Sequence, residues 1–121
     1  MSYFLDSYAM LSYLEGNKSL SPYLEEEGLV TSSFNIAELY YHILSRKGEK
    51  LADEWTIPFL AVSTNPTALT IKNAMKFRLA NKKKKLSYAD CIGYQLAKER
   101  NLKFLTGDIQ FKGLPNVEFV K

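Results

Sequence analysis

Apolar and polar positions along the chain divide it into an alternating strand and helix rhythm. Ser2-Tyr3-Phe4-Leu5 is a short apolar run ended by Asp6-Ser7, and Tyr8 to Leu14 resumes at helical spacing before Gly16-Asn17 stops it. Ser19 or Ser21, with Pro22, opens a second short helix that carries Tyr23 and Leu24 and closes at Glu25-Glu26-Glu27 and Gly28. Leu29-Val30-Thr31 reads as a buried strand. Asn35 is placed to cap the next helix, which runs to about Arg46 with Ile36, Leu39, Tyr40, Ile43 and Leu44 on its apolar face. Leu51 to Trp55 reads as helix ended by Pro58, and Phe59 to Val62 as another buried strand. Asn65-Pro66 gives a cap and a first helical residue for a helix through about Leu79. Ser87 caps a helix whose small, apolar face is Cys91, Ile92, Gly93, Leu96 and Ala97. Lys103 to Thr106 is then a strand broken by Gly107-Asp108, and Val117 to Val120 is a last edge strand.

Repetition of strand then helix predicts a parallel sheet with right-handed crossovers. The expected fold class is α/β: one domain over residues 1–121, built as an α/β/α sandwich with a mostly parallel central sheet. No repeat, low-complexity segment or linker interrupts it.

Composition narrows the chemistry. With 46% hydrophobic and 24% charged residues the chain has an ordinary globular balance, and 121 residues bury a core without disulfides. The single cysteine excludes an internal disulfide and a multi-cysteine zinc site, and the single histidine excludes a histidine-rich metal centre. A net charge of +3 permits a polyanionic partner without demanding one. No apolar run spans a bilayer, and MSYFLD reaches an acid at once and lacks a basic leader, so the expected location is the cytoplasm.

Four acids then share one kind of position. Asp6 and Asp108 each follow a strand, while Glu38 and Asp90 fall in the first turn of a helix that follows one. In an open α/β sheet all four lie at the carboxyl edge, where ligands bind. Each has an ordinary explanation by itself. Asn35-x-x-Glu38 and Ser87-x-x-Asp90 resemble capping boxes, Asp6 suits an N-cap, and Asp108 suits a turn. Surface caps have no reason to converge, however, because like charges about 4 Å apart repel by roughly 4 kcal/mol at an effective dielectric of 20. A hard divalent cation reverses the sign of that energy.

The pieces YFLDSYAMLSYL, TSSFNIAELYYHIL, LSYADCIGYQLAKERNLKFLTGD and FKGLPNVEFV together resemble the PIN domain, and within it the small toxin nucleases of the VapC type. The resemblance runs from end to end and is weakest over residues 47–86. It implies an Mg²⁺- or Mn²⁺-dependent endoribonuclease that leaves 5′-phosphate and 3′-hydroxyl ends. Its metal-site acids correspond to Asp6, Glu38, Asp90 and Asp108, with Asp6 and Asp90 the main direct ligands. Ser7 and Thr106 match the hydroxyls that orient a carboxylate or bound water behind the metal. It also implies homodimerisation and a VapB-type antitoxin lying in an apolar groove. Tyr8, Met10, Leu11, Tyr13, Leu14, Tyr23 and Leu24 supply the apolar surface for such a groove, or for ordinary packing.

Lys82, Lys83, Lys84 and Lys85, preceded by Arg78, form a basic run leading to Asp90 that would track RNA phosphates or simply be a solvated face. Tyr40 is expected in the core or an interface, and His42, one turn after Glu38, is expected to be structural. Competing readings are weaker. A haloacid-dehalogenase-type phosphatase needs a second aspartate at position 8, which is Tyr here. A receiver domain needs an acidic pair where Asp6 stands alone. The remaining alternative is a catalytically inactive PIN-like module that only binds RNA or protein.

Overall fold

A computed structural model describes residues 2–121. Five short strands, β1 (Tyr3–Leu5), β2 (Thr31–Ser32), β3 (Ser63–Thr64), β4 (Lys103–Thr106) and β5 (Val117–Phe119), alternate with helices α1 (Ser7–Leu14), α2 (Ser21–Leu24), α3 (Ser33–Lys47), α4 (Glu49–Leu60), α5 (Ala68–Ala80) and α6 (Tyr88–Glu99). Strands β1, β4 and β5 pair in parallel, as do β2 and β3. A parallel bridge between Phe4 and Val30 joins the two groups, with Leu5 N–H donating to Val30 O at 2.8 Å. The strand order is therefore β3-β2-β1-β4-β5, all parallel, as the strand–helix rhythm predicts.

Side-chain alternation along β1 and β4 builds the core twice over. Phe4 and Phe104 are register partners on the α5 and α6 side of the sheet, in one cluster with Ala74 of α5, Ile92 and Tyr94 of α6, and Phe111 of the turn that follows β4. Leu5 and Leu105, one step on, face the opposite side and pack with Met10 of α1, Leu39 and Ile43 of α3, and Phe59 of α4. Both faces of the sheet are covered, which makes the fold an α/β/α sandwich. Covering both faces also explains why these strands read as unbroken apolar runs rather than alternating ones.

Four local expectations are corrected. Pro58 lies inside α4 rather than ending it. An interior proline costs about 3 kcal/mol, but here it falls in the last turn, and continuing the helix seats Phe59 in the core. Phe59 to Val62 is accordingly not a strand: Leu60 is exposed and the pairing segment is Ser63–Thr64. Helix α3 starts at Ser33 with Ser32 as its cap, so Asn35 is inside the helix and Glu38 lies in its second turn. Thr67, not Asn65, caps α5, through a reciprocal pair with Thr70.

Candidate active site

The carboxyl edge of β1 and β4 is where the backbone delivers its acids. Because Leu5 pairs with Leu105, the residue after β1 stands beside the last residue of β4. Asp6 thus meets Thr106, whose hydroxyl donates to Asp6 Oδ2 at 2.5 Å. The other oxygen of Asp6 caps α1, accepting from Ala9 N–H at 2.7 Å. Thr106 Oγ1 also accepts from Asp108 N–H at 3.0 Å, and Asp108 Oδ1 takes Gln110 N–H at 2.9 Å to open the 3₁₀ turn Ile109–Phe111.

Asp90 arrives on α6. Its Oδ2 accepts from Ser87 N–H at 2.9 Å, while Ser87 Oγ accepts from Asp90 N–H at 3.0 Å, a closed capping box. Glu38 comes from α3, and its Oε1 accepts from the Ser7 hydroxyl at 2.8 Å. The capping and turn roles anticipated for Asp6, Asp90 and Asp108 are all real. The same three residues nonetheless join Glu38 and Ser7 in lining one open cleft of about 430 Å³.

Such crowding leaves an electrostatic mark. Burial first, then the charges of Asp90 and Asp108, push the Asp6 carboxyl up to about 8 against the hydrogen bonds from Thr106 and Ala9. Burial likewise raises Asp90 to about 6, opposed by its bond to Ser87 and reinforced by Glu38 and Asp108. Carboxyls raised chiefly by burial, and further by neighbouring acids, are relieved by a bound cation. Cys91 sits beside Asp90 but is buried and pushed up to about 12, which removes it as a nucleophile.

The donor set suits a hard cation: four carboxylates and no thiolate, with both oxygens of Asp6 and one oxygen each of Glu38, Asp90 and Asp108 already accepting a hydrogen bond from the protein. Among the described residues no three acid, histidine or cysteine side chains close on a common point.

Asn35 is the residue that the sequence reading misassigned. It is buried, its Oδ1 accepts from the Ser32 hydroxyl at 2.5 Å, and its Nδ2 donates to Ala89 O at 3.4 Å. Its main-chain oxygen accepts from the Ser7 hydroxyl at 3.1 Å. One residue, through its side chain and its main-chain oxygen, thereby ties the segments carrying Asp6, Glu38 and Asp90. A cap position was the local signal at Asn35; nothing in that spacing points to a helix 54 residues further on.

His42 and Arg46 also line the cleft. The basic run does not. Lys82–Lys84 forms a 3₁₀ turn on the flank, and Lys84 Nζ donates to Gln110 O at 3.2 Å, next to the Asp108 turn. Arg78 donates to Leu86 O at 2.9 Å, and its guanidinium stacks 4.5 Å from the centre of the Tyr88 ring. Tyr40 is half-buried with its hydroxyl on Asp53.

The family profile described as the PIN domain matches residues 3–117. No curated protein sequence matches the chain. Among solved structures the fold is similar to that of VapC20 from Mycobacterium tuberculosis, a toxin described as cleaving the sarcin–ricin loop (TM-score 0.76, 16% identity, 98% of this chain and 96% of that one). It is also similar to a chain of VapBC2 from Rickettsia felis, solved bound to a fragment of promoter DNA (TM-score 0.73, 22% identity, 99% and 98%). A third similarity is to a toxin–antitoxin complex from Klebsiella pneumoniae (TM-score 0.74, 18% identity, 96% and 95%).

Proposed function

Because the chain belongs to the PIN-domain family, we propose that it is a divalent-cation-dependent endoribonuclease and the toxin of a VapBC-type toxin–antitoxin pair. The observation that carries this reading is the convergence of Asp6, Glu38, Asp90 and Asp108, from four separate segments, on one cleft. A module that merely bound a partner would gain nothing from that repulsion. The similarity to toxin structures, one of them named for cutting RNA, supports the same reading.

Asp6 and Asp90 would hold the cation directly, with Glu38 and Asp108 reaching it through water. Bound Mg²⁺ or Mn²⁺ would supply what phosphodiester hydrolysis needs: a more acidic water, a neutralised phosphate and a stabilised leaving oxygen. The protein's own groups prepare that chemistry. Thr106 holds one Asp6 oxygen and favours its ionised form, Ser7 holds Glu38, and the Ser87 box fixes Asp90 in the first turn of α6.

The reading extends to partners and place. An antitoxin segment would enter the apolar groove of Tyr13, Leu14, Leu24, Leu29, Phe59 and Val62, about 230 Å³. A second copy would cover the exposed Tyr41, Leu44 and Leu60 between α3 and α4. Lys82 to Lys85 would attract the RNA backbone from the flank. No helix among the described residues is long and apolar enough to cross a membrane, in keeping with action on RNA in the cytoplasm.

The deciding experiment is cleavage of total RNA by wild type and Asp90→Asn, purified in parallel, with Mg²⁺ or Mn²⁺ and with EDTA. Cutting that both EDTA and the substitution abolish supports the assignment. Equal cutting by both proteins, or none by wild type, refutes it.

A further inference from the structure

We propose that the arm of the cleft leading away from the acids, between α1 and α3, is a subsite for one unpaired nucleotide flanking the scissile bond, with Tyr8 stacking on its base and His42 and Arg46 holding its phosphate. The inference rests on the ribonuclease reading and says how substrate would lie in that site.

The walls of this arm are two helix faces. On α3, Glu38, His42 and Arg46 recur every fourth residue and form one stripe. On α1, Tyr8, Leu11, Ser12 and Glu15 form the facing stripe. The stripe on α3 therefore runs from the Glu38 carboxylate at one end, past an imidazole, to a guanidinium at the other. An anionic strand cannot lie along four carboxylates without positive charge. A cation among the acids compensates one phosphate only, so the neighbouring phosphate needs its own donors. Successive positions on the stripe, four residues apart, lie roughly 6 Å apart along the helix axis, a stride that suits consecutive phosphates. The arginine fork matches phosphate oxygens.

Tyr8 supplies the base platform. It follows Asp6 by two residues, lines the cleft and is 37% exposed. Its ring lies close over Gly107, where a β-carbon would collide with it. The Lys121 ammonium stands 5.6 Å from the ring centre. A half-exposed aromatic beside a phosphate site is what an unpaired base stacks on. Glu15, at the C-cap of α1, lines the same arm and opposes phosphate there, which gives the proposal a second sign to test.

The test is binding of a fluorescein-labelled single-stranded oligoribonucleotide by the Asp90→Asn protein across a salt series, with total-RNA cleavage by wild type run alongside. Arg46→Gln should lower the slope of log affinity against log salt by about 0.7, the value for one phosphate contact on a single strand. His42→Gln should weaken binding, and Glu15→Gln should tighten it. Tyr8→Ala should weaken binding about tenfold, as for one stacked base, with the slope unchanged, and Tyr8→Phe should restore it. Unchanged affinity and slope in Arg46→Gln and His42→Gln overturn the subsite alone if wild type still cuts RNA. Absence of any binding overturns the subsite too. Absence of cutting as well removes the ribonuclease reading beneath it.

Discussion

Thr106 donates its hydroxyl to Asp6 across the β4–β1 pair, and the same oxygen receives the N–H of Asp108. A single side chain thus links two acids that are 102 residues apart in number, at a point where the parallel register leaves no choice of neighbour. That hydroxyl favours the ionised form of Asp6, against the burial that raises it to about 8. Replacing Thr106 by Val keeps the shape and removes the bond. The pH at which the protein takes up Mn²⁺ should rise, and stability should fall by about 1–3 kcal/mol for the buried oxygen left without a donor. A Mn²⁺ titration followed by melting at several pH values, with a denaturant curve, measures both; an unmoved pH profile would contradict the role given to Thr106.

Stability without metal should decline as pH rises. Asp6 and Asp90 are raised to about 8 and about 6 from a reference near 3.8. The folded protein therefore binds more protons than the unfolded chain between about pH 4 and about pH 8, so the free energy of unfolding falls across that window. Urea midpoints in EDTA should drop over this range, and Asp6→Asn should flatten the drop.

Metal should reverse that trend. Ionised carboxylates bind the cation, so uptake releases protons and strengthens with pH. In millimolar Mn²⁺ the melting temperature should rise relative to EDTA, and by more at pH 8 than at pH 6.

Asp90→Asn separates charge from shape. Asparagine still accepts a bond from Ser87 N–H but no longer repels Glu38 and Asp108. The variant should melt a few degrees higher than wild type in EDTA, lose the Mn²⁺-induced shift, and leave RNA uncut. A lower melting temperature in EDTA would mean the acids do not strain the fold.

At Gly93, α6 lies tight against α3 and β1. A β-carbon there would lie 2.9 Å from both Asn35 Oδ1 and Phe4 Cε1. Gly93→Ala should destabilise the protein by about 1–3 kcal/mol through overpacking. It should also weaken Mn²⁺ uptake, because it displaces the Asn35 side chain that joins α3 to the first turn of α6. Denaturation curves and the Mn²⁺ melting shift read the two effects separately.

The sequence by itself determined the strand–helix order and the placement of Asp6, Asp90 and Asp108. Those signals are local: an apolar run that ends at an acid, or a serine three residues before one, constrains the backbone whatever packs around it. It also carried the resemblance on which the function rests. Elsewhere local signals competed with packing and lost. Pro58 stops a helix in isolation, yet Phe59 gains enough from the core to carry α4 past it. Ser32 and Asn35 are both good caps, and the pairing of β2 with β3 selected Ser32 by ending the strand there. Only the tertiary structure decided that Asn35 reaches α6, that Glu38 meets Ser7, and that Tyr8, His42 and Arg46 share the cleft with the acids. Those relationships depend on how helices distant in sequence cross over a common sheet, and no spacing along the chain encodes that crossing.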